Sequence, residues 1–270
     1  MAQPFGPRTC PNDRLMRMIR GWFRIVLSLS AIAVWTVFTV LGARRRKGAE
    51  RLQYQAQRQR GGARILSRIG RFRVTVAGET PPPGPMLYVA NHITALDPIL
   101  IGTQVDVAFA GKIEIIGWPV MGWIAREHGI IGVERSRRSS TRVFVEAIRN
   151  RLAEGVPVMV FPEGGIGWGD VLLPFKTGAF EAISGMGRIQ TVFMDVAAID
   201  GVPTPGSEGR HRLSHKHHDT LFGHLAHAFS YRSVDIQVRF GPSFSADEMK
   251  RKALADMTRA AMLRLQDQKQ

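Results

Sequence analysis

Residues 25–43, IVLSLSAIAVWTVFTVLGA, run for 19 positions without a charge, between Arg24 and the cluster Arg44, Arg45, Arg46 and Lys47. As an α-helix the run is about 28 Å long, close to the roughly 30 Å hydrocarbon core of a bilayer. Trp22 and Phe23 stand where aromatic side chains favour the membrane interface. The segment reads as a membrane anchor, either a spanning helix or a tilted or re-entrant one. A cleaved secretory signal fits poorly, because the apolar stretch is too long and RRRK follows it. A buried core helix fits less well still for a run so uniformly apolar. More positive charge follows the run than precedes it. The positive-inside tendency therefore puts the rest of the chain on the cytoplasmic side of an inner membrane, although Arg14, Arg17, Arg20 and Arg24 pull the other way.

The net charge of +15 on 270 residues is unevenly placed. Residues 1–70 hold 14 Lys or Arg and two acids, Asp13 and Glu50, whereas residues 71–270 hold 23 bases and 20 acids. A nucleic-acid-binding protein would more often carry its charge on the folded body. A basic arm beside an apolar run fits attraction to anionic lipid instead. Residues 1–70 are thus read as an anchor-bearing arm, its 44–70 part a solvated helix or linker lying partly along the membrane surface, and residues 71–270 as the functional domain. The single cysteine, Cys10, excludes an internal disulfide or a cysteine metal site.

Beyond residue 70, short apolar runs alternate with helical stretches. Strands are expected at 72–77, 86–90, 105–109, 156–161, 189–197 and 234–240. Ser139 or Ser140 could cap a helix with Val143, Phe144, Ile148 and Leu152 on one face and Gly155 as its stop. Ser245 could cap a last helix from Ala246 to about Leu265. Residues 201–220, rich in Gly, Pro, Ser and His, read as a loop. The alternation argues an α/β domain.

Two places carry chemistry. In LYVANHITALDP (87–98) a strand runs into a polar break holding His92 and, five residues on, Asp97. An imidazole becomes a useful base near neutral pH when a carboxylate holds one ring nitrogen and leaves the other for a substrate proton. Taken alone, the pair is more often a loop hydrogen bond and a helix cap. In VFPEGG (160–165) a second strand ends in a turn presenting Glu163. Ligands often bind at such strand ends in α/β sheets, though an ordinary turn is the bland alternative.

The two blocks in this order resemble the lysophospholipid acyltransferase family, which includes 1-acylglycerol-3-phosphate acyltransferases. Asn91, His92 and Asp97 match its first motif, Gly129 to Arg135 resembles its second, and Phe161 to Gly164 matches its third. LPFKTG (173–178) also resembles the family pattern. The resemblance implies a glycerolipid-acyltransferase-like mixed sheet flanked by helices, over roughly residues 70–245. It implies a membrane-associated O-acyltransferase acting on a lysolipid of the 1-acylglycerol-3-phosphate type, with lyso-ornithine lipid as the alternative acceptor. His92, oriented by Asp97, would deprotonate the lysolipid hydroxyl as it attacks a thioester. Asn91, Arg135, Glu163, Gly164 and Lys112 would hold the substrate. The acyl donor would be a thioester of acyl carrier protein or coenzyme A, its chain in an apolar groove or tunnel. The partners would be membrane lipids and not nucleic acid, and neither a cofactor nor a metal is expected.

This sequence departs from the family pattern where Thr-Arg commonly follows the third motif, at Gly165 and Ile166, and no Pro occurs in the strand around 189–193. Both departures weigh against a phosphate-bearing acceptor. IGWPVMGWIA (116–125) and the tail from His218 to Phe240 resemble the branch that acylates lyso-ornithine lipid, although Trp118, Met121 and Trp123 could equally be core or a membrane-facing patch. The histidines 211, 215, 217 and 218 could bind metal, but a loop near headgroups is the better reading. A non-catalytic lipid-binding module is the rival of another class, and the intact His–Asp pair argues against it.

Overall fold

A computed structural model describes residues 11–112, 117, 119–133, 138–185, 187–215 and 220–268. Among them, β1 (Phe72–Gly78), β2 (Leu87–Ala90), β3 (Ala108–Lys112), β4 (Ile131–Val133), β5 (Val158–Val160), β6 (Arg188–Ile199), β7 (Val202–Pro203) and β8 (Val234–Ser245) form one sheet. Its order is β1-β8-β6-β2-β5-β3-β4, with β7 beside β6. The pairs β6–β2, β2–β5, β5–β3, β3–β4 and β1–β8 are parallel, and β6 runs antiparallel to β8 and β7. The expected mixed sheet is present; the six expected strands recur with shifted ends, and β4 and β7 are additional to them.

The central strands read as unbroken apolar runs because both of their faces are covered. Along β2, Leu87 and Val89 face one cluster while Tyr88 and Ala90 face the other, the alternation that a pleated strand imposes. The first cluster packs under α5 (Arg138–Ala153), α6 (Gly178–Glu181) and α9 (Arg251–Asp267) through Ile148, Phe180 and Met262. The second packs under α3 (Asp97–Gly102) and α8 (Leu221–Ser230) through Leu100, Ile101 and Phe229. Two expectations need correcting here. On α5 the core position belongs to Val145, whereas Val143 is 66% exposed. The last helix starts at Arg251, because Ser245 ends β8 and bonds the Asp247 side chain instead of capping a helix at 246.

The apolar run of the arm lies in α1 (Pro11–Ala43), which packs along the body, α4 (Pro119–Glu127) included, rather than standing off it. The buried face of α1 is made of Gly21, Ile25, Ser28, Thr36, Thr39 and Ala43, mostly small or polar residues. Trp22, Phe23, Val26, Val34, Val37, Phe38 and Leu41 face outward. A Cβ at Gly21 would run into the carbonyl of Ala226 on α8. Arg24 reaches the end of the same helix, donating to the carbonyls of Phe229 (3.0 Å) and Tyr231 (2.6 Å). Further along, the Trp35 indole donates to the Arg58 carbonyl (2.8 Å) on α2 (Gly48–Gly70). Segment 44–70 is therefore a packed helix from residue 48, with Ala56, Gly62 and Ala63 buried, not a solvated linker.

Candidate active site

The parallel strands β2 and β5 are neighbours, and the residues that follow them meet at their carboxyl ends. Asn91 prolongs β2 with its side chain: its Oδ1 accepts the Met194 N–H (2.7 Å) and its Nδ2 donates to the Met194 carbonyl (3.0 Å). With its amide committed to β6, Asn91 fixes where the chain leaves the sheet, immediately before His92.

There the chain turns tightly around one carboxylate. Asp97 Oδ2 lies 2.7 Å from His92 Nδ1 and also accepts the N–H groups of Ile93 (2.8 Å) and Thr94 (3.1 Å). Asp97 is fully buried in the first turn of α3. Burial pushes its carboxyl above the usual range, opposed by the His92 ring and the two N–H groups. The His92 ring stacks on Phe161, with centroids 4.4 Å apart, and its Nε2 has no hydrogen bond among the described residues. The ring is thus held at one nitrogen and open at the other, the arrangement that general-base chemistry needs.

Glu163 locks the two strand ends together. Its Oε1 accepts the His92 N–H (2.8 Å) and its Oε2 accepts the Leu173 N–H (2.9 Å). Burial pushes its carboxyl up to about 7. Gly164 follows at φ +72°, where a side chain would be strained, and a Cβ there would meet the Lys176 side chain at 2.5 Å. Lys112 closes β3, also at the carboxyl edge, while Arg135 lies outside the described residues. His92, Asp97, Asn91, Glu163 and Gly164 are therefore gathered at one place from segments 70 residues apart.

The expected loop at 201–220 is corrected: α7 (Glu208–Leu213) forms within it and closes over the site. The Gly167 N–H donates to the His92 carbonyl (2.8 Å), Ser214 Oγ to the Gly167 carbonyl (2.8 Å), and the His215 N–H to the Ile93 carbonyl (3.1 Å). A small cavity of about 10 Å³ remains, lined in part by His92, Glu163, Gly167, Arg210 and Gln266. That is roughly the room of one water molecule, far below the roughly 300–1,000 Å³ usual for ligand pockets. Arg210 and Gln266 carried no sequence signal; the only hint was glycine at 165, 167 and 169, which allows close backbone approach.

Of the histidine-rich run, His211 stacks on Trp168 at 5.4 Å and His215 meets His224 edge-on at 4.7 Å. His217 and His218 lie outside the described residues, as does Trp118. Among the described residues no group of His, Cys, Asp and Glu is placed to hold a metal ion.

The Acyltransferase family profile matches residues 72–196, which contain both strand ends of the site. Over 201 residues the chain is 33% identical to a lyso-ornithine lipid O-acyltransferase of Brucella abortus, covering 71% of this chain and 75% of that one. This chain belongs to the acyltransferase family. The acyltransferase is also 31% identical over 184 residues to a lyso-ornithine lipid O-acyltransferase of Rhizobium meliloti, covering 65% of this chain and 63% of that one. Its fold is that of the 1-acyl-sn-glycerophosphate acyltransferase of Thermotoga maritima. That likeness has a TM-score of 0.68 at 17% identity and covers 96% of this acyltransferase and 99% of that chain.

Proposed function

We propose that this acyltransferase moves a fatty acyl group from a thioester of acyl carrier protein or coenzyme A to the hydroxyl of a lysolipid at a membrane surface. The observation that carries the reading is the His92 imidazole, held at Nδ1 by Asp97 and open at Nε2. In the step inferred, the acceptor oxygen attacks the thioester carbonyl carbon while His92 Nε2 takes its proton. As the C–S bond breaks, the thiolate leaves and recovers that proton from the imidazolium. Asp97 steadies the imidazolium charge throughout. The thioester is already activated, so positioning and deprotonation are the work left to the protein. Asn91, Glu163 and Gly164 set the ring's position, and Lys112 and Arg135 are assigned to substrate binding.

Lyso-ornithine lipid is the favoured acceptor. The relatives from Brucella abortus and Rhizobium meliloti carry that name, and the phosphate-associated Arg of the wider family is replaced by Ile166. Lysophosphatidic acid is the second reading, supported by weaker likeness to 1-acylglycerol-3-phosphate acyltransferases. The outward apolar face of α1 and the basic turn at 44–47 support the reading of attachment to an inner membrane on its cytoplasmic side.

The test is acyl transfer by purified protein in detergent, offering both thioesters with each acceptor. His92→Ala is expected to lower kcat by about 10²–10⁴-fold, the usual contribution of a positioned base. A folded His92→Ala variant as active as wild type would remove His92 from the mechanism. A folded wild type that transfers to neither acceptor would overturn the substrate class.

A further inference from the structure

Beside the cavity lies a buried ion cluster with two cations and one anion. Asp195 on β6 accepts from Arg210 Nη1 through Oδ1 (2.6 Å) and from Arg239 Nη2 through Oδ2 (3.0 Å), and all three side chains are 5% exposed. Arg239 is fully engaged, donating also to Gln237 Oε1 (2.7 Å) and the Leu265 carbonyl (2.8 Å). Arg210 is not. Its Nε donates to the Gly169 carbonyl (2.6 Å), and its Nη2 has no hydrogen bond among the described residues. The Phe193 ring lies 5.3 Å from the Arg210 guanidinium and 5.9 Å from that of Arg239, which eases their burial without neutralising either.

One positive charge is thus left over in a place where uncompensated charge is costly. Arg239 on β8 suffices to neutralise Asp195, which leaves the charge of Arg210 for another use. Arg210 lines the same small cavity as His92. Gly169 lets the 165–170 segment close down on it, since a Cβ there would meet the Arg210 Cβ at 2.6 Å.

We infer that Arg210 binds the anionic group of the acceptor, a carboxylate or a phosphate, through Nη2 while His92 Nε2 faces the acceptor hydroxyl. The inference rests on the lysolipid-acceptor reading above and names the residue that gives it specificity. A guanidinium is suited to this work because its planar fork matches either oxyanion.

The experiment uses the full chain in detergent with one thioester donor and three acceptors: lyso-ornithine lipid, its carboxyl methyl ester, and lysophosphatidic acid. Wild type is expected to favour the free carboxylate over the ester. Losing a charge-assisted hydrogen bond should raise the acceptor KM for the carboxylate about 10- to 100-fold in Arg210→Met, with little change for the ester. Arg210→Lys should fall between. Asp195→Asn has the opposite sign, because it removes the competing carboxylate while keeping an acceptor oxygen for Arg210. The carboxylate KM should fall and the ester KM should hold. Melting curves establish that each variant is folded, and if both Arg210 variants unfold, wild type and Asp195→Asn decide the matter. Equal losses on carboxylate and ester, or an Asp195→Asn variant that leaves their ratio unmoved, overturn the inference. Preference for lysophosphatidic acid that Arg210→Met abolishes makes the bound anion a phosphate. A wild type inactive on every acceptor overturns the parent reading and this inference with it.

Discussion

Glu163 and Asp97 are acids placed under main-chain N–H groups, and each makes a testable demand. Glu163 is buried and its carboxyl is pushed up to about 7. A carboxyl that holds its proton more tightly in the folded chain makes stability fall as pH rises from about 4.5 to about 7, by about 3 kcal/mol at most. Glu163→Gln cannot ionise, and its amide N–H₂ must face one of the two N–H donors of His92 and Leu173, costing about 1–3 kcal/mol. Its melting point should therefore lie below wild type at pH 5, with the gap narrowing toward pH 8; a gap that widens contradicts the assignment. Asp97→Asn should keep the fold, since its amide oxygen can stand in for Oδ2 toward Nδ1 and the two N–H groups. It should nevertheless lower kcat at least about 100-fold, since a neutral amide no longer steadies the imidazolium charge. The His–Asp spacing and the Pro-Glu-Gly turn made these residues legible in the sequence. Arg210 was not legible, because its partner Asp195 sits on β6 and only the path through β7 and α7 brings the two together.

Among elements, the central strands were the most legible, because a sheet covered on both faces writes itself as apolar runs. The short helices were hidden for the converse reason. In α7, EGRHRL has no apolar periodicity, and the helix is held by bonds to distant backbone such as Arg210 to Gly169. The anchor helix was legible in its middle, but its packing partners were not. Its contact with α8 depends on one missing side chain. Gly21→Val should push α1 off α8, costing about 1–3 kcal/mol as overpacking does. The expected readout is faster amide exchange across residues 221–230, since the first half of α1 and the end of α8 support each other through Arg24. Unchanged protection there would mean that α8 stands without the anchor.

At the scale of the whole molecule, α1 is inside out by the standard of a water-soluble protein: small and polar residues face the body, and large apolar ones face away. Removing one such side chain from lipid should weaken attachment by about 1.5–3 kcal/mol. Phe23→Asn with Phe38→Asn is expected to lower vesicle partitioning by at least about 100-fold in a flotation assay, with acyl transfer in detergent retained. Full retention on vesicles would point to another attachment surface. The same arrangement bears on any attempt to obtain a soluble enzyme by cutting. α8, braced by Arg24 of α1, in turn carries His224, whose Nε2 lies 2.6 Å from the Thr94 hydroxyl in the loop between His92 and Asp97. Trimming away residues 11–43 would strip a wall from the foundation of the active site along with the anchor. Residual activity of the trimmed enzyme would measure how much of the catalyst is built from its own mooring.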